Sequence, residues 1–192
     1  MTKKNISFVL SMLIVLGVST TFTGCKKGEN DPFLSLKSRK ARISGEWTLV
    51  SGSETSTYNS GGLASSSSTT YTETSYIVNG TSYPYSEKMT IEKDGTYEIE
   101  VIDDGDFYTI TGNWFFAGAI KDLDLKNKEA IVFSTQNYSE PGYSETYDGF
   151  YAGEVYIIDQ LKNKELVFKG EYTTTGSGFT STNKYERIFD KK

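Results

Sequence analysis

The chain of 192 residues contains no histidine and only one cysteine, Cys25. Without histidine it lacks the usual general base of enzymes and the usual nitrogen ligand of zinc. A single cysteine excludes an internal disulfide, so stability must come from a packed core. Carboxylates are the remaining candidates for catalysis, but they fall mainly on turns and on the outer faces of predicted strands. We therefore expect a protein that is not an enzyme and holds no cofactor.

The charge of the chain argues against one class of partner. The formal net charge is −5, and the domain lacks the basic cluster that neutralises phosphates, so nucleic acid is not an expected partner. Three carboxylates share one turn, at Asp103, Asp104 and Asp106, but they lack the spaced oxygen ligands and the distal Glu of a calcium loop. We interpret this segment as a plain hairpin turn and expect no metal site.

The N-terminal segment has the features of a targeting sequence. The apolar stretch 6–18 is too short to span a bilayer comfortably, and it follows Lys3 and Lys4, which is typical of a signal peptide. The segment Phe-Thr-Gly-Cys that ends at Cys25 resembles the lipobox of bacterial lipoproteins, whose cysteine becomes the acylated first residue of the mature chain. The resemblance implies that residues 1–24 are removed and that Cys25 anchors the protein in a lipid bilayer. An ordinary secretory signal and a buried core thiol are the alternatives.

Residues 25–32 are charged and contain glycine, which predicts a short flexible tether. The remaining residues, 33–192, are enough for one domain. Apolar side chains at Phe33, Leu36 and Ile43 have the spacing of one or two helical turns with a basic outer face. We expect this helical turn to cap one end of the domain, although its bases could instead contact lipid headgroups near the tether.

From Trp47 onward, apolar and polar residues alternate with a period of two, as in half-buried antiparallel strands. About eight to nine such segments are separated by turn dipeptides such as Asn79-Gly80 and Asp104-Gly105. No connecting segment is long and periodic enough for a crossover helix. The pattern predicts an all-β fold, an antiparallel up-and-down β-barrel. Residues 51–74 are dominated by Ser, Thr, Gly and Tyr, and we expect their middle to form a mobile loop. This loop is either a lid over one mouth of the barrel or a solvent-exposed insertion without a role.

The motif Gly45-x-Trp47 at the start of the first strand, with a helical turn before it and a meander after it that ends with Arg187, resembles the pattern of lipocalins and the wider calycin group. The resemblance implies that Trp47 packs across the closed end of the barrel with Arg187 over its indole face. Lipocalin-like domains are common in lipoproteins of Bacteroidetes-type bacteria, so it also implies a lipid anchor in the bacterial outer membrane. A second Gly-x-Trp, at Gly112 and Trp114, is expected to fill the core from a bent strand.

Aromatic residues are abundant, with 14 tyrosines and 11 phenylalanines. One cluster falls in a predicted loop and the strand after it, at Tyr138, Tyr143, Tyr147, Phe150 and Tyr151. Aromatic side chains at a barrel mouth suit an apolar or sugar-like ligand, although tyrosine is also a good strand residue with one polar end. We expect non-enzymatic binding of a small apolar or amphipathic molecule. The alternative is a solid-core barrel that acts as a protein- or glycan-interaction module of the cell envelope.

Overall fold

The computed structural model describes residues 37–118, 129–148 and 153–192. The predicted leader, the tether and the lipidation site Cys25 lie outside these residues, as do Phe150 and Tyr151. Within these ranges no helix is long and apolar enough to cross a membrane. The elements are α1 (Arg39–Ile43), β1 (Gly45–Ser60), β2 (Leu63–Thr72), β3 (Ser75–Val78), β4 (Thr81–Ile91), β5 (Thr96–Asp103), β6 (Asp106–Gly118), β7 (Glu129–Glu140), β8 (Tyr143–Thr146), β9 (Gly153–Leu161), β10 (Glu165–Gly176) and β11 (Phe179–Lys191).

Ten strands form a closed antiparallel barrel, and β8, which pairs with β7, lies outside it. Strands that follow one another in sequence are neighbours, except that β9 pairs with β7 and not with β8. The first strand, β1, pairs with the last, β11. The predicted all-β class and the antiparallel barrel are confirmed. The expected number of eight to nine strands is too low.

The expectation of a mobile loop in the middle of residues 51–74 is wrong, because this stretch forms most of β1 and all of β2. The two strands pair in continuous register from Ser51 opposite Thr72 to Ser60 opposite Leu63. The turn between them uses two glycines with positive φ angles, as tight hairpins require. Most side chains of β2 are exposed, so backbone pairing and the strand preference of threonine, rather than burial, order this hairpin.

Strand β1 changes its neighbour along its length. Its first residues, Gly45 to Thr48, pair with the last residues of β4. From Ser51 onward β1 pairs with β2, and the hairpin of β2 and β3 stands between β1 and β4. The pairings therefore give eight strands around the end that contains Trp47, here named the closed end, and β2 and β3 add two strands to the wall toward the opposite, open end. Because barrel diameter grows with strand number, the open end is the wider one.

The closed end is filled by large apolar side chains. Trp114 is 6% exposed, and its indole N–H donates to the Glu92 carbonyl over 2.8 Å. It lies two residues after Gly112, where β7 approaches β6 so closely that a Cβ would lie only 2.0 Å from the Ser134 carbonyl oxygen. The expectation that Trp114 fills the core is confirmed. Other members of the core are Leu49, Met89, Ile91, Phe133, Phe168 and Phe189.

Trp47 joins the barrel to helix α1. Its side chain is 1% exposed, and its indole N–H donates to the Ile43 carbonyl over 2.6 Å. The helix begins after Ser38, whose hydroxyl accepts a hydrogen bond from the Ala41 N–H over 3.1 Å, which satisfies one of the free N–H groups of the first turn. The described part of the predicted helical turn, Arg39–Ile43, therefore lies against the closed end, while Phe33 and Leu36 fall outside the described residues.

The cation over the Trp47 ring is Lys191, and not Arg187 as expected. The Lys191 ammonium lies 4.9 Å from the ring centroid and donates to the Arg42 carbonyl over 2.8 Å and to the Ser44 carbonyl. Gly45 leaves room for it, since a Cβ there would lie 2.4 Å from the Lys191 side chain. The register between β1 and β11 sets Lys191 opposite Trp47, whereas Arg187 lies opposite Gly52, further along the barrel.

We expect Trp47→Ala to lower the free energy of unfolding by about 3–5 kcal/mol, the usual cost of removing a large aromatic side chain from a core. Denaturant unfolding of the full chain measures this loss. Trp47→Phe is the matched control, because it keeps a ring in the core while removing the hydrogen bond to Ile43, and it should cost clearly less. A loss below about 1 kcal/mol for Trp47→Ala would show that the closed end does not depend on this side chain.

Candidate functional site

Above the closed-end core, the inward side chains change from apolar to aromatic and ionic. On β11 the inward positions follow one another at steps of two from Phe189, which belongs to the core, toward the open end. On β1 the inward positions resume after the register shift at Leu49. Because alternate residues of a strand face the same side, these steps line the upper lumen with Gly52, Glu54, Asn183, Tyr185 and Arg187.

Arg187, on β11, reaches across the lumen and contacts side chains of three other strands. Its guanidinium pairs with Glu87 over 3.3 Å and with Glu54 over 3.6 Å. The same group lies 3.8 Å from the centroid of the Tyr71 ring, which adds a cation–π contact. Gly52 opposite Arg187 provides space, since a Cβ there would lie 3.0 Å from the arginine Cδ. The only guanidinium of this part of the described lumen is therefore already engaged by carboxylates.

The ion pair between Arg187 and Glu87 is largely withdrawn from water, with side-chain exposures of 18% and 14%. Burial raises the pKa of Glu87 above its ordinary value, against the opposing effects of the Arg187 charge and of a hydrogen bond from the Tyr85 hydroxyl. Burial and the nearby Glu87 charge also raise the pKa of Tyr85. Burial therefore favours the uncharged acid at Glu87, and Arg187 is what stabilises its carboxylate.

Two tyrosine rings form a corner beside this ion pair. Tyr156 stacks on Phe168 with centroids 4.9 Å apart and an interplanar angle of 17°, and it meets Tyr185 at 5.8 Å and 87°. The Tyr156 hydroxyl donates to the Glu154 carboxylate. Tyr185 extends across the position of Gly170, where a Cβ would lie 2.6 Å from its hydroxyl oxygen. The absence of a side chain at Gly170 thus permits the position of Tyr185.

Strands β9 and β10 separate toward the open end. Their pairing covers only Leu166 to Phe168 on β10. Beyond it, the Tyr185 hydroxyl accepts a hydrogen bond from the Ile157 N–H over 3.2 Å, so a side chain of β11 takes the place of a backbone partner. This separation adjoins a cavity of about 550 Å³, which we name the chamber. Its lining includes Glu54, Glu154, Tyr156, Tyr172, Tyr185 and Arg187.

A second depression, of about 690 Å³, lies on the outer face of the same separation. Lys169 pairs there with Glu186 over 2.8 Å, and Lys184 pairs with Glu171 over 3.1 Å. These four side chains are 37% to 63% exposed, and ion pairs of this kind are typical of a solvated strand surface. The chamber is therefore the better candidate for a binding site.

Of the aromatic residues singled out in the sequence, the three that the structure describes lie elsewhere. Tyr138, Tyr143 and Tyr147 surround the hairpin of β7 and β8, where their hydroxyls donate to Glu140 and Glu145. None of these three tyrosines lines the chamber. Phe150 and Tyr151 fall outside the described residues. The chamber tyrosines belong instead to β9, β10 and β11. Tyr172 and Tyr185 are flanked by polar residues, as on a half-buried strand, whereas Tyr156 lies between Val155 and Ile157 and had no such signal.

The chamber can offer hydrogen bonds, ion pairs and aromatic faces to a ligand. Within the described ranges no group of three or more His, Cys, Asp or Glu residues is placed to hold a metal ion. Comparisons with protein families, with curated proteins and with solved structures find no match to this chain. The chemistry of the chamber is therefore the guide to function.

We expect Arg187→Met to lower the free energy of unfolding at neutral pH by about 3 kcal/mol, the lower end of the cost of breaking a buried ion pair, because this pair keeps some contact with water. Burial already raises the pKa of Glu87 above its ordinary value of 4.5, and removing Arg187 raises it further. Protonated Glu87 is then favoured in the folded state, so the loss should shrink as the pH falls toward 4.5 and grow as the pH rises.

Denaturant unfolding across this pH range is the measurement, and the double variant Arg187→Met with Glu87→Gln is the control. The uncharged glutamine should restore part of the stability at neutral pH and flatten the pH dependence. A loss that is independent of pH and unchanged in the double variant would contradict the role assigned to this ion pair.

Proposed function

We propose that the protein is a non-enzymatic binder of a small amphipathic molecule, which it holds in the chamber of its barrel. The observation that carries this proposal is the cavity of about 550 Å³ in the upper barrel. Small-molecule sites typically have volumes of about 300–1,000 Å³ and combine aromatic walls with a few polar groups. Tyr156, Tyr172 and Tyr185 supply such walls, and Glu54 and Glu154 supply polar groups.

The same proposal includes a lipocalin-like character for the domain. Its support is the Gly45-x-Trp47 motif at the closed end, with a buried indole, a short helix beneath it and a cation over its face. Two features depart from the expected pattern, since the cation is Lys191 and the barrel has ten strands. A fold by itself does not give a function, so the binding proposal depends on the chamber and not on this likeness.

The proposed location is the bacterial outer membrane. The support is the signal-peptide pattern of residues 1–24 and the lipobox-like segment that ends at Cys25. Residues 25–32 would then connect the acylated cysteine to the barrel. A tethered binding domain would meet amphipathic molecules at the bilayer surface, which is consistent with a chamber that combines aromatic and charged walls.

We expect Asn183→Trp to abolish ligand binding, because Asn183 faces the chamber and an indole ring would occupy much of its volume. The full chain, held in lipid nanodiscs, is incubated with an envelope lipid extract and examined by native mass spectrometry. The matched control is Asp190→Trp, an exposed position on the same strand. Wild type and control should retain a bound small molecule that Asn183→Trp lacks. Equal spectra for all three proteins would contradict binding in the chamber.

A second candidate function is an interaction module of the cell envelope. The observation that favours it is the tip of the hairpin of β1 and β2, where Leu63 is 80% and Tyr58 45% exposed. Tyr58 is held in place by stacking on Phe179 at 5.8 Å and 25°. Exposed apolar side chains on an ordered projection are typical of a protein contact.

If the hairpin tip binds a protein, Leu63→Ser should abolish co-purification of a specific envelope partner with the full chain, while Asn183→Trp should leave it unchanged. A point variant is preferable to deletion of the hairpin, because β1 and β2 form part of the barrel wall. The interaction function is wrong if the same set of proteins co-purifies with wild type and with Leu63→Ser.

A further inference from the structure

We propose that the ligand of the chamber is an organic cation, an amine or quaternary ammonium group joined to an apolar portion, with its charged head beside Glu154 and against the rings of Tyr156 and Tyr185. This inference rests on the proposed binding function and specifies the chemical class of the ligand. It is carried by the balance of charge in the upper lumen and by the arrangement of the two tyrosine rings.

The charge of the upper lumen favours a cation. Glu54, Glu87 and Glu154 contribute three carboxylates there, whereas Arg187 is the only cation among the described residues that line the chamber. Arg187 is already paired with Glu87 and Glu54 and covered on one face by Tyr71. An anionic ligand would have to displace these carboxylates to reach the guanidinium. A cationic ligand could instead pair with a carboxylate that Arg187 does not neutralise.

Glu154 is the carboxylate of the upper lumen that Arg187 does not neutralise. In the described part of the chain, no lysine or arginine forms an ion pair with it, and its carboxylate accepts a hydrogen bond from the Tyr156 hydroxyl. By contrast, Glu171, which also lines the chamber, pairs with Lys184 over 3.1 Å. Glu154 is exposed at the edge of the chamber, so an ammonium group can pair with it without the cost of burying an isolated charge.

The negative field of Glu154 reaches well into the lumen. After burial, which is the largest effect in each case, the Glu154 charge contributes to the raised pKa values of Glu87, Tyr156 and Tyr185. It also contributes to raising the pKa of Tyr108 to about 12. These contributions show that the Glu154 carboxylate lies close enough to act on groups inside the lumen, and a cation bound beside Glu154 would oppose this part of each shift.

The rings of Tyr156 and Tyr185 supply the second half of the site. Tyr156 and Tyr185 stand nearly perpendicular, at 87°, so they form two adjacent walls. Aromatic faces attract ammonium groups through the ring quadrupole, and such walls are used to hold quaternary ammonium ligands. The stacking of Tyr156 on Phe168 fixes one wall in advance, which reduces the entropy lost on binding. The apolar portion of the ligand then lies along the remaining aromatic surface.

Three probes that differ only in their head group test this inference: phenylbutylamine, phenylbutanol and phenylbutyrate. Binding to the full chain in lipid nanodiscs is measured by titration calorimetry, and titration of empty nanodiscs corrects for partition into lipid. We expect the amine to bind at least about tenfold more tightly than the alcohol, a difference of about 1.4 kcal/mol, and the acid to bind most weakly.

Two variants locate the contact. Glu154→Gln keeps the shape of the side chain and removes its charge, so it should weaken binding of the amine about tenfold and leave binding of the alcohol unchanged. The control is Glu145→Gln on β8, a carboxylate that accepts hydrogen bonds from Tyr143 and Tyr147 and does not line the chamber. It should bind the amine like wild type. Both substitutions lie at exposed positions, and thermal unfolding verifies that both variants are folded.

The outcomes separate the two proposals. If the alcohol or the acid binds as tightly as the amine, or if Glu154→Gln binds the amine like wild type, the cation inference is overturned and the binding function stands. If none of the probes binds and the lipid extract also leaves the chamber empty, both proposals are overturned.

Discussion

The change of neighbour along β1 is the constraint on which the rest of the barrel depends. Over its first residues β1 pairs with β4, and from Ser51 onward it pairs with β2, so the hairpin of β2 and β3 enters the wall only toward the open end. Eight strands leave an interior that side chains can just fill, and a larger number leaves space. One barrel therefore has a solid closed end and a chamber above it.

The closed end and the chamber are stabilised by different physical means. Around Trp47 the interior is mainly apolar, and the indole, Lys191 and the buried Arg42 guanidinium donate to backbone carbonyls. Beside them, Arg39 pairs with the buried carboxylate of Glu129. Around Arg187 the interior contains charges, and each buried charge needs a partner because burial is costly. Phe189 and Arg187, one inward step apart on β11, mark the boundary between these two environments.

The chamber has its polar character because tyrosine combines an apolar ring with a hydroxyl group. The rings of Tyr156 and Tyr185 pack against the apolar core, while their hydroxyls contact Glu154 and the backbone of β9. Gly170 and Gly52 contribute by leaving space for Tyr185 and Arg187. The side chains that we propose to bind an organic cation are thus the same ones whose packing supports the upper wall of the barrel.

Several elements of the molecule were predictable from local sequence. The period-two pattern predicted most of the strands, the dipeptides Asn79-Gly80 and Asp104-Gly105 predicted hairpins, and both residues of each dipeptide have positive φ angles. The buried position of Trp47 at a closed end followed from its motif. The stretch 51–74 was misjudged, because backbone pairing orders it without the apolar residues that signal a strand.

The sequence by itself determined the all-β class, the positions of the turns and the kinds of side chain available to a site. Only the tertiary structure decided that Lys191 and not Arg187 covers Trp47, and that Arg187 meets Glu87, 100 residues away in sequence. The physical reason is register. The period-two pattern shows that every second residue of a strand lies on the same face. Which residues lie opposite one another depends on the register shift after Leu49 and on which strand pairs with β1.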